Sequence, residues 1–238
     1  MSWAEPGPWE VRVGESLSLE ELVARASPLV ASLGRGFSLP RVARELGVSS
    51  DEVRELVADR TELLLEIADA AIASAPPLEP GAGPWDYRLF ELVWRVGREL
   101  AALPEAWSAA VLAGAATGPG MIRFLDDVMG LLLEAGLDRT EADEACQHIV
   151  VFLAGWRQEL AAVEARVEHA VVRRRRDRLR GMLSTYPGLS SLAPYYLDVP
   201  LDEAIPRSLR LLVDGIAAGA ARAPSGVSQR RAGRPGWG

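Results

Sequence analysis

The amino-acid sequence predicts an all-α protein, and three observations support that prediction. Apolar residues recur at helical spacing in almost every segment, and no window shows the alternation and β-branched enrichment of a strand. Ser18 and Ser49 are each followed three positions later by a glutamate, which is the pattern of a capping box at a helix N-terminus. A run rich in Pro and Gly over residues 76–84 separates short N-terminal helices from a longer helical remainder.

Length and composition limit the classes of protein to which this chain can belong. The 238 residues, 49% of them hydrophobic, are enough for one large domain or two small ones with a core. Cys146 is the single cysteine, so an internal disulfide framework is excluded. No stretch approaches the roughly 20 apolar residues of a membrane helix, and the N-terminus lacks the basic start and apolar run of a signal peptide. We therefore expect a cytoplasmic protein with no membrane partner.

Residues 38–57 have the pattern of a helix-turn-helix. Leu39 and Leu46 belong to a first amphipathic helix, and Gly47 follows it where a tight turn needs a positive φ angle. Ser49 then opens a second short helix. Two short helices joined through a glycine form the unit that places its second helix in a DNA major groove.

The remaining periodic segments are also predicted to be helices. They cover residues 18–33, 59–75, 85–102, 104–115, 119–136, 140–182 and 201–221. The segment 140–182 is too long for one ordinary helix, and we expect it to break after Glu164. Pro206 is expected in the first turn of the last helix, where its missing N–H is tolerated.

Five regions follow from these elements. We predict an irregular arm over residues 1–17, a helix-turn-helix domain over 18–75 and a linker over 76–84. Residues 85–221 are predicted to form a helical ligand-binding and dimerisation domain. Residues 222–238, rich in Gly, Pro and Arg, are predicted to be a disordered tail.

Several of these motifs together resemble the TetR family of regulators. The stretch 38–49 reads S-L-P-R-V-A-R-E-L-G-V-S, and the next long helix opens with R-T-E-L-L at 60–64. In the second half, Leu103-Pro104 and Gly118-Pro119-Gly120 are similar to landmarks of the tetracycline-repressor type of C-terminal domain. The resemblance implies a TetR-like fold, a homodimer with two DNA-reading heads, and a ligand cavity in each C-terminal half.

The second helix of the helix-turn-helix, called the recognition helix below, departs from the family pattern and is rich in acidic residues. Arg54 stands where the family has a tyrosine, and Leu56 and Val57 replace the usual pair of ring-bearing residues. Arg60 stands where a lysine opens the next helix. Residues 1–75 hold seven arginines and thirteen carboxylates, a net charge of −6 that opposes phosphate binding.

Two interpretations of this head remain open. In the first, a few basic and polar side chains still bind operator DNA, and acidic residues in the first helical turn serve only to cap the helix. The candidates for that set are Arg41, Arg44, Ser49, Arg54 and Arg60. In the second, the head has lost DNA binding, and the protein is a sequestering binder or a cofactor-free, cyclase- or isomerase-like enzyme acting on a secondary metabolite.

The C-terminal half contains a candidate ligand cavity. His148, Phe152 and Trp156 fall at i, i+4 and i+8, and Glu159 follows three residues later on the same helical face. Other large side chains come from Trp85, Phe90, Trp94, Trp107, Met121, Phe124 and Met129. This set predicts a pocket for a hydrophobic or aromatic small molecule, with His148 and Glu159 as polar anchors. The alternative is an ordinary packed core.

Catalytic and metal signatures are absent from the sequence. His148, Glu159 and Tyr195 are the candidate acid–base residues if the protein is an enzyme. Only two histidines are present, and they are too far apart in sequence to form a local metal site. We therefore predict no metal and no cofactor.

Two segments are predicted to form the dimer. Residues 140–161 and 201–220 each carry a long apolar stripe with small residues, which allow helices to approach closely. Two such helices from each chain would give a four-helix interface with twofold symmetry.

Overall fold

The computed structural model describes residues 16–77, 81, 83–113, 118–168, 170–183, 185–190 and 201–222. Every regular element in these ranges is helical, which confirms the all-α prediction. The elements are α1 (Leu19–Leu33), a 3₁₀ turn (Gly34–Gly36), α2 (Leu39–Leu46), α3 (Ser50–Leu56), α4 (Arg60–Ser74), α5 (Trp85–Ala101), α6 (Pro104–Ala113), α7 (Pro119–Glu134), α8 (Arg139–Glu168), α9 (Ala170–Leu183), α10 (Pro187–Ser190) and α11 (Leu201–Ala220).

The ends of the chain lie outside the described residues. This applies to the predicted arm up to residue 15 and to the predicted tail from residue 223 onward. The long segment 140–182 divides into α8 and α9, and α8 ends four residues beyond Glu164. None of the described helices is long and apolar enough to cross a membrane.

The chain contacts divide the protein into two compact units. The first unit comprises the described residues within Met1–Ala75 and Val96–Phe124, and the second comprises those within Pro76–Arg95 and Leu125–Gly238. The division falls inside α5 and inside α7, so each of these helices contributes residues to both units.

The first unit contains the helix-turn-helix formed by α2 and α3. Gly47 ends α2 with a left-handed φ of 71°, the conformation that its sequence position predicts. Ser49 opens α3 with a complete capping box: its hydroxyl accepts from the Glu52 N–H at 3.1 Å, and its own N–H donates to the Glu52 carboxylate at 2.8 Å. From α1, Arg25 donates to the Leu46 carbonyl at 2.7 Å, which holds α1 against the end of α2.

Buried side chains of α1, α3 and α4 fill the core of the first unit. Leu22 and Ala26 of α1, Val53 of α3, and Leu63 and Ile67 of α4 are all essentially inaccessible to solvent. In addition, α4 packs extensively on α6. Because burying a Leu or Ile side chain contributes about 1.5–3 kcal/mol, these contacts fix the helix-turn-helix to α4.

Helices α4 and α7 cap each other's ends. Asp69 of α4 is only 7% exposed, and its carboxylate accepts the N–H of Gly120 at 2.9 Å and the N–H of Met121 at 2.8 Å. In return, Arg123 of α7 donates to the Ala73 carbonyl near the end of α4 at 3.0 Å. The amides at a helix N-terminus and the carbonyls at a helix C-terminus lack partners within their own helix, so this exchange satisfies both. The negative charge of Asp69 also favours the positive end of the α7 dipole.

Glycines make this close approach possible. A Cβ atom at Gly120 would lie 2.4 Å from the backbone oxygen of Asp69, and one at Gly118 would lie 2.3 Å from the Asp69 Cγ. A side chain at position 120 would require a shift of α4 or α7, and one at position 118 would displace the Asp69 carboxylate. The tripeptide Gly118-Pro119-Gly120 therefore has a steric role at this junction.

The second unit is built on the packing of α8 against α11. Ile149 and Leu153 of α8 are buried, as are Leu209 and Val213 of α11. Arg88 of α5 forms an ion pair with Glu134 of α7. Such helix pairs bury the apolar stripes that the sequence shows in both segments.

Pro206 lies inside α11 rather than in its first turn, because the helix begins five residues earlier at Leu201. The preceding turn includes Ile205, which is 7% exposed, and its burial helps stabilise the extension of the helix past the proline. The prediction for Pro206 was therefore wrong by one turn.

The two glycines of α7 provide a matched test of the α4–α7 junction. Gly120→Ala is expected to lower the free energy of unfolding by about 1–3 kcal/mol, because the new methyl group overlaps the Asp69 carbonyl. Gly130→Ala is expected to raise it by about 0.5–1 kcal/mol, because nothing lies within 4 Å of its Cβ position and alanine favours a helix. Urea unfolding followed by circular dichroism measures both. Equal effects of the two substitutions would contradict the steric role of Gly120.

Candidate functional site

An aromatic cluster lies in the second unit, between α5 and α8. The rings of Trp94 and Trp156 stack with centroids 5.1 Å apart and an interplanar angle of 18°. Phe152 meets Trp156 edge-on at 6.3 Å, and Phe90 stacks on Trp94 at 6.5 Å. Three of these residues, Trp94, Phe152 and Trp156, are among the predicted ligand-binding residues. Trp156 is only 6% exposed, so these rings pack chiefly on one another.

One arginine lies against these rings and another is buried in α8, and neither was among the predicted site residues. The Arg210 guanidinium of α11 lies 4.3 Å from the centroid of the Phe90 ring, which is within cation–π range. Arg157 of α8 is only 6% exposed and has contacts within the chain. Its position directly after Trp156, on the buried face shared with Leu153, was the available signal in the sequence.

The predicted polar anchors differ from the rings in exposure. His148 and Glu159 are both exposed, although Trp156 between them is buried and Phe152 is half-buried. The helical face that these four residues share thus runs from solvent at both ends to a buried centre. Tyr195, the third acid–base candidate, lies outside the described residues.

The other predicted ligand-binding residues divide between the two units. Trp107 of α6 and Phe124 of α7 are buried in the first unit, where Met121 is half-buried. Trp85, at the start of α5, is half-buried in the second unit. The assignment of all these residues to one ligand site remains a prediction.

The candidate DNA-binding residues lie in the helix-turn-helix and at the start of α4. The side chain of Arg44 is 71% exposed and lies 3.7 Å from the Glu45 carboxylate. Arg54 of α3 lies 3.4 Å from Asp51, one turn earlier in the same helix. Ser49 uses its hydroxyl in the α3 capping box, and Arg41 is half-buried with its Nε lacking a hydrogen-bond partner among the described residues.

Arg60, the first residue of α4, is engaged with two other elements of the first unit. Its Nη2 lies 3.3 Å from Oε2 of Glu105 in α6, and its guanidinium carbon lies 4.4 Å from the centroid of the buried Phe37 ring. The side chain is nevertheless 41% exposed. The sequence identified Arg60 as a basic residue but gave no indication of its partners.

The surface of α3 carries negative charge. Asp51, Glu52 and Glu55 are exposed, and hydrogen bonds from the Ser49 backbone and side chain lower the pKa of Glu52. Glu52 therefore stays ionised at neutral pH. The acidic residues that the sequence places on the recognition helix thus face solvent, where an approaching phosphate backbone would meet them.

A groove of about 510 Å³ lies between α1 and α4 in the first unit. Its apolar walls include Leu19, Val23 and Ala70, and Glu66 and Asp69 contribute carboxylates. Burial raises the pKa of Glu66, and the charges of Asp69 and Glu62 raise it further. None of the predicted ligand-binding residues lines this groove.

No group of three or more potential metal-ligating side chains occurs among the described residues. Cys146 is buried in α8, and its burial raises the pKa of the thiol. A thiol with a raised pKa stays protonated at neutral pH, which makes it a poor nucleophile and a poor metal ligand.

Comparisons with known proteins identify the family that has this architecture. A helix-turn-helix unit combined with a helical C-terminal half defines a class of helix-turn-helix proteins, and residues 76–219 match the family described as "Tetracyclin repressor-like, C-terminal domain". The chain belongs to the tetracycline-repressor (TetR) family. A search of curated proteins finds no match.

Solved structures of TetR proteins share the fold. Apo ActR from Streptomyces coelicolor matches with a TM-score of 0.71 at 23% identity, covering 88% of this chain and 99% of that chain. ActR in complex with actinorhodin matches with a TM-score of 0.72 at 23% identity, covering 87% and 98%. A possible TetR family transcriptional regulator from Streptomyces coelicolor A3(2) matches with a TM-score of 0.69 at 26% identity, covering 85% and 100%. The resemblance to the TetR family is thereby confirmed.

The raised pKa of Glu66 leads to a pH-dependent prediction. A raised pKa means that the folded protein binds this proton more tightly than the unfolded chain, so the ionised carboxylate destabilises the fold at pH 7. Glu66→Gln should therefore raise the free energy of unfolding at pH 7. The gain should disappear as the pH falls below the ordinary pKa of a glutamate, where both states hold the proton.

Urea unfolding over a pH series measures this gain. Glu20→Gln, on the opposite wall of the groove, removes the same charge from an exposed position and serves as the control. An equal gain in both variants at pH 7 would assign the effect to net charge and contradict the local explanation.

Proposed function

We propose that the protein is a ligand-responsive transcriptional regulator that binds operator DNA through α2 and α3. The observation that carries the proposal is the intact helix-turn-helix, with Gly47 in the left-handed conformation and a fully capped α3, in a chain of the TetR family. A capped and solvent-exposed second helix on a buried support is the arrangement that major-groove recognition requires. In this proposal, ligand occupancy repositions α4 and respaces the two heads of a dimer.

Arg44 is the strongest candidate for a phosphate contact. Its side chain is largely exposed at the end of α2, and its carboxylate neighbour at 3.7 Å forms only a loose pair. Exposed ion pairs contribute about 0–1 kcal/mol, so a phosphate competes easily for this guanidinium. Arg41, Ser49, Arg54 and Arg60 complete the proposed DNA-binding set.

The proposed ligand is a hydrophobic or aromatic small molecule that contacts the aromatic cluster. Trp94 and Phe152 pack on the buried Trp156 ring and are themselves half-buried, so they are the rings of this cluster that a flat ligand can reach. ActR, which shares the fold, has been crystallised with actinorhodin and with (S)-DNPA. In this proposal, exposed His148 and Glu159 contact the polar edge of the ligand.

The proposed dimer uses the outer faces of α8 and α11. Val151 of α8 is 67% exposed and Leu211 of α11 is 72% exposed, although both are large apolar residues. Small exposed residues continue the same faces, namely Gly155 in α8 and Gly215 in α11. Since α8 and α11 pack on each other, these exposed apolar residues support an interface in which both helices contact a second copy of this chain.

The acidic recognition helix favours a second candidate function. Asp51, Glu52 and Glu55 face solvent on α3, and the only arginine of that helix lies beside Asp51. Such a surface repels phosphates. The alternative is therefore a TetR-fold protein without DNA binding, which sequesters or converts a secondary metabolite in its C-terminal half.

The regulator proposal predicts salt-sensitive DNA binding that depends on Arg44. The protein should retard a duplex from its gene's upstream region in a mobility-shift assay at low salt. Arg44→Gln should weaken binding to all sequences and reduce the slope of log affinity against log salt by about one. Arg139→Gln, an exposed substitution at the start of α8, is the charge-matched control and should leave binding unchanged.

Absence of any shift at high protein concentration would reject the regulator and leave the second candidate. In that case, turnover of a metabolite that is lost in His148→Ala or Glu159→Ala would identify an enzyme. Tight binding without turnover would identify a sequestering protein.

The dimer proposal predicts a change of mass on introducing a charge into α11. Leu211→Glu should convert a dimer into a monomer, because two carboxylates would be buried at the twofold interface without partners. Light scattering coupled to size-exclusion chromatography measures the mass. Ile122→Glu on α7, also at an exposed apolar position, is the control and should stay dimeric. A monomeric wild type, or a dimeric Leu211→Glu variant, would contradict the proposed interface.

A further inference from the structure

The contact between Arg60 and Glu105 joins the DNA-binding head to α6 within the first unit. Arg60 follows α3 after three residues, at the end of α4 nearest in sequence to the recognition helix. Glu105 is the second residue of α6, and its side chain is 20% exposed. The Phe37 ring beneath the guanidinium holds Arg60 in place beside this carboxylate.

This pairing leaves the Arg60 guanidinium incompletely satisfied. The contact to Glu105 is made by one nitrogen, Nη2, at 3.3 Å, whereas a strong Arg–carboxylate pair is bidentate and shorter. The Nε atom of Arg60 is buried and has no hydrogen-bond partner among the described residues. A guanidinium has five N–H donors, so Arg60 has unused capacity for a better acceptor.

We propose that Glu105 is an intramolecular competitor of DNA for Arg60. In the free protein, the Glu105 carboxylate occupies the side of the guanidinium that a backbone phosphate takes in the complex. A backbone phosphodiester offers two anionic oxygens that can accept a bidentate pair of hydrogen bonds from a guanidinium, as a carboxylate can, and it carries the same single negative charge. Binding to DNA therefore requires breaking the Arg60–Glu105 pair first. This inference rests on the proposed DNA-binding function.

The competition makes a specific prediction for removal of the Glu105 charge. Because an ion pair of this exposure contributes about 0.2–1 kcal/mol, Glu105→Gln should tighten DNA binding roughly 1.5- to 5-fold. The gain should be largest at low salt, where the intramolecular pair is strongest, and should fall as salt screens it. Fluorescence anisotropy with a labelled duplex from the gene's upstream region, over a salt series, measures the affinity.

Three further substitutions separate competition from a general loss of negative charge. Arg60→Gln removes the residue for which DNA and Glu105 compete, so the gain from Glu105→Gln should vanish in the Arg60→Gln background. Glu105→Asp keeps the charge but shortens the side chain, and it should still tighten binding because the 3.3 Å contact is lost. Glu20→Gln in α1 measures the gain expected from one lost charge alone. Thermal unfolding of each variant verifies that it is folded.

The outcomes distinguish this inference from the proposed function. If the wild type binds the duplex and neither Glu105 variant binds more tightly, the inference is overturned and the regulator function stands. A gain that persists in the Arg60→Gln background, or that Glu20→Gln reproduces in full, also overturns it. If neither the wild type nor any variant binds at low salt, the regulator function is wrong and the inference falls with it.

Discussion

The arrangement of the first unit depends on the hydrogen bonds that the Asp69 carboxylate of α4 accepts from the first turn of α7. Asp69 is only 7% exposed and lies at the N-terminus of α7, where two backbone amides donate to it. Leaving such donors unsatisfied in a buried site costs about 1–3 kcal/mol. The junction also constrains the sequence around it, because a Cβ atom at position 120 would overlap the backbone oxygen of Asp69 and one at position 118 would overlap its carboxylate. One acidic residue on α4 thereby constrains two positions about fifty residues later in the chain.

Local signals predicted the helices well, since they depend on neighbouring residues. The capping boxes at Ser18 and Ser49 and the left-handed Gly47 were all readable as short patterns, and each is present in the structure. The Asp69 junction was not predictable, because a lone aspartate in a helical segment looks like a solvated residue until α7 is placed beside it. The same holds for Glu105, whose partner Arg60 is 45 residues away. Long-range polar contacts leave no periodic pattern in the sequence.

The aromatic cluster was predicted in part for a related reason. Helical spacing brought Phe152 and Trp156 together, and the structure adds Trp94 from α5 as a stacking partner. Spacing alone could not show that His148 and Glu159 face solvent, because a residue at the edge of an apolar stripe is buried only if a neighbouring helix covers it. Arg157 was missed because a charged residue inside an apolar stripe is usually assigned to the surface.

The capping of α7 by Asp69 also determines how this protein can be recombined with its relatives. The helix-turn-helix and α4 end at Ser74, but the compact unit that contains them includes residues 96–124 as well. A chimera joined at the Pro-rich linker would separate Asp69 from the Gly120 and Met121 amides that it caps in its own chain. An exchange of the helix-turn-helix unit that preserves these contacts therefore has to transfer α6 and the start of α7 as well. The transferred part then consists of two separate segments of the chain.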